Sequence, residues 1–209
     1  MNNTDPTQTY LANFAQEDEI LRWIQSEAQR HGLPTISLQP REGKLLHLLA
    51  KASGAKKMIE IGALGGYSGT WLARALPADG QLWTLEKSAK HAEVARAAFA
   101  KAGVDSLVTL IEGDALPVLE TLAAHAPFDF VFMDADPENY VNYFMVVAEY
   151  LRPGGVLTAH NALAAGMIAL PDDARSRGMA TFQDALLADP RFDSTIIEWG
   201  DGILFAVKR

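Results

Sequence analysis

The sequence predicts an α/β protein with a doubly wound, mostly parallel seven-stranded sheet, an antiparallel C-terminal hairpin and extra N-terminal helices. Three observations predict it. Short apolar runs alternate with helical patterns of about 10–15 residues from Met58 onward, as parallel strands joined by crossover helices require. A glycine-rich turn, Gly62-Ala63-Leu64-Gly65-Gly66, follows the first of these runs. The last two β-like runs are joined by Gly200-Asp201-Gly202, a hairpin signal.

Residues 1–9 are polar and read as loosely packed. From Tyr10 to about His31 the pattern is helical, with Ile20, Leu21, Ile24 and Ala28 on one face. Gly32 and Pro34 end it. Ile36 to Gln39 reads as extended, and Pro40 suits the first position of a second helix running to about Ser53. That helix buries Leu45, Leu46, Leu48 and Leu49. Met58 to Ile61 is a strand, and Tyr67 to Leu76 a helix. Gln81 to Glu86 is a strand, after which Ser88 caps a helix that Gly103 ends. Leu107 to Glu112 is a strand, followed by a helix from Leu116 to Ala124. Phe128 to Met133 is nearly all apolar, as in a strand covered on both faces. A helix from Glu138 to Leu151, a strand from Val156 to Ala159 and a helix from Pro171 to Leu187 follow. Arg191 to Trp199 and Ile203 to Lys208 form the hairpin. One domain is expected over residues 1–209: an N-terminal helical cap (1–53) and a Rossmann-like core (54–209).

Composition narrows the classes. At 49% hydrophobic and 21% charged residues, the chain reads as a soluble globular protein. A net charge of −8 weighs against nucleic-acid binding, which needs a basic footprint. Without cysteine there is no disulfide, zinc–thiolate or thiol nucleophile. The N-terminus has neither the cationic start nor the apolar core of a signal peptide. No stretch reaches the ~18 apolar residues of a membrane helix. A cytoplasmic protein is expected.

Ligands of such a sheet bind beyond the carboxyl ends of the strands, so the residues there carry the chemistry. These ends are Glu60, Glu86, Glu112-Gly113-Asp114-Ala115, Asp134-Ala135-Asp136 and His160-Asn161. The glycines at 62, 65 and 66 depart from the dinucleotide spacing, and no Gly-Lys-Ser/Thr follows to cradle phosphates. Glu60 puts a negative charge at the first strand end, and Glu86, 26 residues on, can accept both hydroxyls of a ribose. A cationic, phosphate-free nucleoside fits both, and S-adenosylmethionine is one.

Glu60-Ile61-Gly62 with Gly66-Tyr67-Ser68, Glu86, Glu112-Gly113-Asp114-Ala115, Phe132-Met133-Asp134-Ala135-Asp136 and Pro153-Gly154-Gly155 together resemble the metal-dependent O-methyltransferases. The nearest group is the caffeoyl-CoA and catechol O-methyltransferase type with its small bacterial relatives, and the resemblance covers about residues 36–208. It implies that Glu60, Gly62, Ala63, Tyr67 and Ser68 hold the methionine part of S-adenosylmethionine. Glu86, with Lys87 beside it, would bind the ribose, and Gly113, Asp114 and Ala115 would border the adenine. Leu38 and Tyr143 would touch the cofactor. Asp134 and a residue pair after the fifth strand would chelate a divalent cation that positions two vicinal oxygens of a small hydroxylated substrate. A homodimer is implied as well.

The chain departs from that pattern twice. The family's Asp-Asn pair is His160-Asn161, and the lysine that serves the family as base is Pro137. Two readings of the catalytic pair Asp134 and His160 follow. Asp134, His160 and Asn161 hold Mn, Fe, Co or Zn, which suit a nitrogen donor better than Mg or Ca do. Alternatively the metal is gone and His160 is the general base. Two other functions stand beside small-molecule methylation: methylation of a hydroxylated tRNA base, which the acidic chain weighs against unless Arg152, Arg175 and Arg177 form a basic strip beside the rim, and cofactor binding without catalysis. Trp71 and Trp83 read as core, Trp23 and Trp199 as packing or pocket residues, and Asp172-Asp173 as a helix start.

Overall fold

A computed structural model describes residues 6–170 and 172–209. Seven strands form one sheet: β1 (Lys57–Ile61), β2 (Gln81–Glu86), β3 (Val108–Glu112), β4 (Phe128–Met133), β5 (Leu151–His160), β6 (Phe192–Ile197) and β7 (Ile203–Lys208). Their order is β3-β2-β1-β4-β5-β7-β6. All neighbours are parallel up to β5; β7 then runs antiparallel to both β5 and β6. The doubly wound expectation therefore holds, hairpin included.

Alternation along the central strands divides the core in two. Val131 and Met133 of β4 pack with Ile59, Ile61, Phe144 and Phe182 on one face. Phe130 and Phe132 pack with Leu46, Trp71 and Phe99 on the other. The first face is covered by α6 (Ala115–Thr121), α7 (Tyr140–Tyr150) and α8 (Ala174–Ala188). The second is covered by α2 (Glu19–Arg30), α3 (Pro40–Ala52), α4 (Tyr67–Ala73) and α5 (Ala89–Ala102). Trp71 and Trp83 are core residues, as expected. Trp199 is half exposed and lines neither cavity of the site, nor does Trp23.

Several boundaries differ from expectation. The N-terminal helix is two: α1 (Pro6–Ala12) and α2, separated because Asp18 turns extended and its carboxylate accepts the Leu21 N–H at 2.9 Å. Residues 6–9 are thus helical, while 1–5 lie outside the described residues. The Val156 start of β5 is where its regular pairing with β4 resumes after the irregular Arg152–Gly155 stretch. Pro171 lies outside the described residues, and α8 begins at Ala174 because Asp173 caps it, accepting from the Ser176 N–H at 2.7 Å. Trp199 falls in the hairpin turn beyond β6.

Phe130 is fully buried in the middle of the sheet. Phe130→Ala is expected to lower unfolding free energy by about 3–5 kcal/mol in urea titrations. A loss below about 1 kcal/mol would contradict the assigned packing.

Candidate active site

The strand order reverses between β1 and β4, and the site opens there, as the winding of such a sheet dictates. The Asp134 N–H donates to the Ile61 carbonyl at 2.9 Å, which brings the two strand ends into contact. Gly62 has φ +100, and a Cβ on it would overlap the Asp134 carbonyl oxygen, so only glycine fits. Two adjoining cavities, about 320 and 560 Å³, share Ile36, Gly62, Leu64, Asp134 and Ala135 as walls.

The larger cavity gathers Glu86, Lys87, Gly113, Asp114, Ala115 and Tyr143. Each Glu86 oxygen already accepts a backbone N–H, from Leu64 and from Ser88, both at 2.8 Å. Leu64 sits at φ +45 in order to aim its N–H there. The carboxylate is thereby fixed with a lone pair left on each oxygen. Asp114 starts α6 from an extended conformation. The Tyr143 hydroxyl donates to Asp136 Oδ1 at 2.7 Å, and burial together with that carboxylate raises the phenol well above its usual range.

The smaller cavity gathers Leu38, Ala63, Tyr67, Ser68 and Asn161, with Pro137, Glu138 and Arg175 toward α8. Tyr67 donates to Glu17 Oε1 at 2.8 Å, tying the wall to the segment before α2. Asn161, at φ +61, donates from Nδ2 to Asp134 Oδ1 at 3.1 Å. His160 Nδ1 lies 3.4 Å from the same oxygen. Its Nε2 faces a residue that sequence reasoning missed, Glu42 of α3, at 3.5 Å. Burial would lower the His160 pKa, but Asp134 and Glu42 overcome it and raise it to about 10.

Two expectations change. Glu60 does not line either cavity: it is 0% exposed, because strand alternation turns it under α4, beneath Gly69. Thr84 donates to its Oε2 at 2.5 Å, Oε1 has no hydrogen-bond partner, and Ser68 is the cavity residue near enough to lower its pKa. His160 lines neither cavity, being 7% exposed with both ring nitrogens turned to carboxylates. The ring thus stands behind the cavity wall, with Asp134 between it and the space where an acceptor would lie. The other expected residues lie on the cavity walls. Beyond Glu42, the backbone N–H of Leu64 carried no sequence signal, since it depends on tertiary placement; Arg175, named only for the basic strip, lines the smaller cavity.

A family profile described as O-methyltransferase matches residues 12–209. Catechol O-methyltransferase of Mycobacterium tuberculosis is 40% identical over 184 residues, covering 85% of this chain and 83% of that protein. Caffeoyl-CoA O-methyltransferase 2 of Zea mays is 36% identical over 202 residues, covering 91% and 76%. An O-methyltransferase from Bacillus cereus, solved in complex with SAH, superposes with a TM-score of 0.93 at 33% identity, covering 97% of each chain.

Glu60 carries a pH signature. Burial, opposed by Ser68 and Thr84 and aided by Asp134 and Glu86, moves its pKa from 4.5 to about 7. The unfolded chain loses this proton first, so stability falls as pH rises between those values, by on the order of 3 kcal/mol. Glu60→Gln is expected to remove that slope. Urea midpoints of variant and wild type should diverge from pH 5 to pH 7.5 in favour of the variant; a constant difference would refute the assignment.

Proposed function

The chain belongs to this O-methyltransferase family, and we propose that it transfers the methyl of S-adenosylmethionine to a hydroxyl of a small, catechol-like molecule. The observation that carries the reading is the acid-lined crevice at the switch point. Glu86, Asp114, Asp134 and Asp136 surround it, and Glu60 lies beneath. Such a crevice suits a cationic nucleoside and repels a phosphate.

In this reading the larger cavity takes the nucleoside, with Glu86 accepting the ribose hydroxyls and Asp114 and Ala115 beside the base. Leu38, Gly62, Ala63, Tyr67 and Ser68 hold the amino-acid end. The acceptor enters the smaller cavity over Asp134 and Asn161, where alignment and exclusion of water promote transfer. With Pro137 in the position of the family's lysine, the smaller cavity has no lysine on its wall, and Glu138 and Asp134 are its carboxylates.

Asp134, His160 and Asn161 fit a divalent ion, although no group of three or more His, Cys, Asp and Glu side chains that could hold one occurs among the described residues. His160 Nδ1 stands 3.4 Å from Asp134 Oδ1, and the Asn161 amide, which donates to that oxygen from Nδ2 at 3.1 Å, would present its Oδ1 to an ion after a half-turn of the amide. Donors about 2.1 Å from one ion and at right angles to one another lie about 3 Å apart. Such an ion would draw two vicinal oxygens together and acidify the attacking hydroxyl. The imidazole donor favours Mn, Fe, Co or Zn.

Of the basic strip that the tRNA reading needs, only Arg175 stands at the site. Arg152 pairs with Asp129 at 2.7 Å, at the opposite end of β4 from Asp134, and Arg177 folds onto the Asp172 carbonyl at 2.6 Å. A homodimer and a cytoplasmic location belong to the same proposal; the exposed Leu11, Phe14 and Leu48 supply apolar surface for the first.

Calorimetric titration should show binding of S-adenosylmethionine and of S-adenosylhomocysteine, and a folded protein that binds neither would sink the proposal. Methylation of a catechol should respond to chelator and be restored by Mn²⁺. Asp134→Ala should lower turnover by about 10²-fold or more, measured by product formation at saturating cofactor.

A further inference from the structure

Glu42 has no part in the functions so far described, yet it is among the most secluded charges of the molecule, 2% exposed. It lies in the first turn of α3, where Oε2 accepts the Gln39 N–H at 2.7 Å and completes a capping box. That task occupies one oxygen. The other, Oε1, has no hydrogen-bond partner and points at His160 Nε2, 3.5 Å away. Both nitrogens of His160 are likewise buried without a hydrogen-bond partner. Three orphaned polar atoms thus converge on one ring.

The surroundings keep this arrangement in place. Gly200, in the turn between β6 and β7, has φ +58, and a Cβ on it would overlap Glu42 Oε1. The hairpin turn therefore leaves room for this carboxylate and for no larger neighbour. On the far side of the ring, Nδ1 faces Asp134 Oδ1 at 3.4 Å, on the edge where Asn161 also stands.

We infer that Glu42 is a positioning residue: it takes the Nε2 proton of His160 as a hydrogen bond, fixing the tautomer whose Nδ1 is free to ligate a metal beside Asp134 and Asn161. The inference rests on the metal reading of the proposed function. Ring nitrogens that bind metals donate their other N–H to a carboxylate or carbonyl, which orients the ring and raises its basicity. Glu42 also returns, one bond further out, the negative charge that an imidazole removes from a site otherwise built of oxygens. A capping role alone would use Oε2 and leave the direction of Oε1 without a cause.

The test is calorimetric titration of the full chain with Zn²⁺ and Mn²⁺, in wild type, Glu42→Gln, His160→Asp and the double variant. Titration with S-adenosylhomocysteine and a urea midpoint serve as controls. Gln keeps an oxygen for the Gln39 N–H, so the cap survives. Glu42→Gln is expected to weaken Zn²⁺ binding by about 10- to 100-fold while the controls hold. With Asp at 160 the loss should shrink: there is no ring N–H left for Glu42 to accept, and only its general attraction for the cation remains. Should Glu42→Gln unfold, Gly200→Ala displaces the same carboxylate from the other side and should give the same selective loss. Metal binding by wild type with no effect of Glu42→Gln, or the same loss in both backgrounds, overturns the role of Glu42 and leaves the metal reading standing. A wild type that binds S-adenosylhomocysteine but no metal overturns the metal reading and this inference with it.

Discussion

The contact of residue 62 with residue 134 is the constraint on which the site depends. Where the strand order reverses, β1 and β4 run side by side and end together, held by the Asp134 N–H on the Ile61 carbonyl. The chain must then leave in opposite directions, toward α4 on one face and α7 on the other. A gap opens only if the first turn stays out of it, and Gly62 does so by having no Cβ to press on the Asp134 carbonyl. The same turn lets Leu64 aim its N–H backwards at Glu86. One missing side chain thus creates the gap and anchors the carboxylate at its far wall.

Charge is the second organising feature. Carboxylates crowd the crevice, and each is made tolerable in its own way. Glu86 is satisfied by two backbone N–H groups, and Asp136 by Tyr143 and Asn139. Glu60 is buried so completely that its pKa moves to about 7, which places it near the boundary between neutral and charged. Because both Asp134 and Glu86 add to that shift, a cation in the crevice would favour the ionised form of Glu60.

Much of the fold could be read from the chain, since apolar periodicity marks each strand and glycine or an N-cap marks most helix ends. The misses share a cause. Asp18 interrupts a periodic apolar pattern that by itself reads as one helix, and only its carboxylate on the Leu21 N–H reveals the break. For Glu60, alternation along β1 indicates the face it takes, opposite Ile59 and Ile61, but not that α4 closes over that face. Strand-end residues such as Glu86, Asp114 and Asp134 were legible because topology alone places them on the rim. Residues that reach the site from a distant helix were not, since no local pattern encodes a contact across 118 positions, the separation of Glu42 from His160.

That separation bears on how a departure from a family pattern should be read. Taken alone, His160 in place of an aspartate removes a negative charge and a hard oxygen donor, which reads as decay of a metal site. The structure sets the substitution inside a larger unit of Asp134, His160, Glu42 and Gly200, drawn from four separate elements. The ring lies between two carboxylates, Asp134 on one side and Glu42 on the other. Capping α3 accounts for Oε2 of Glu42 but not for Oε1 aimed at the substituted residue, nor for the glycine that makes room for it.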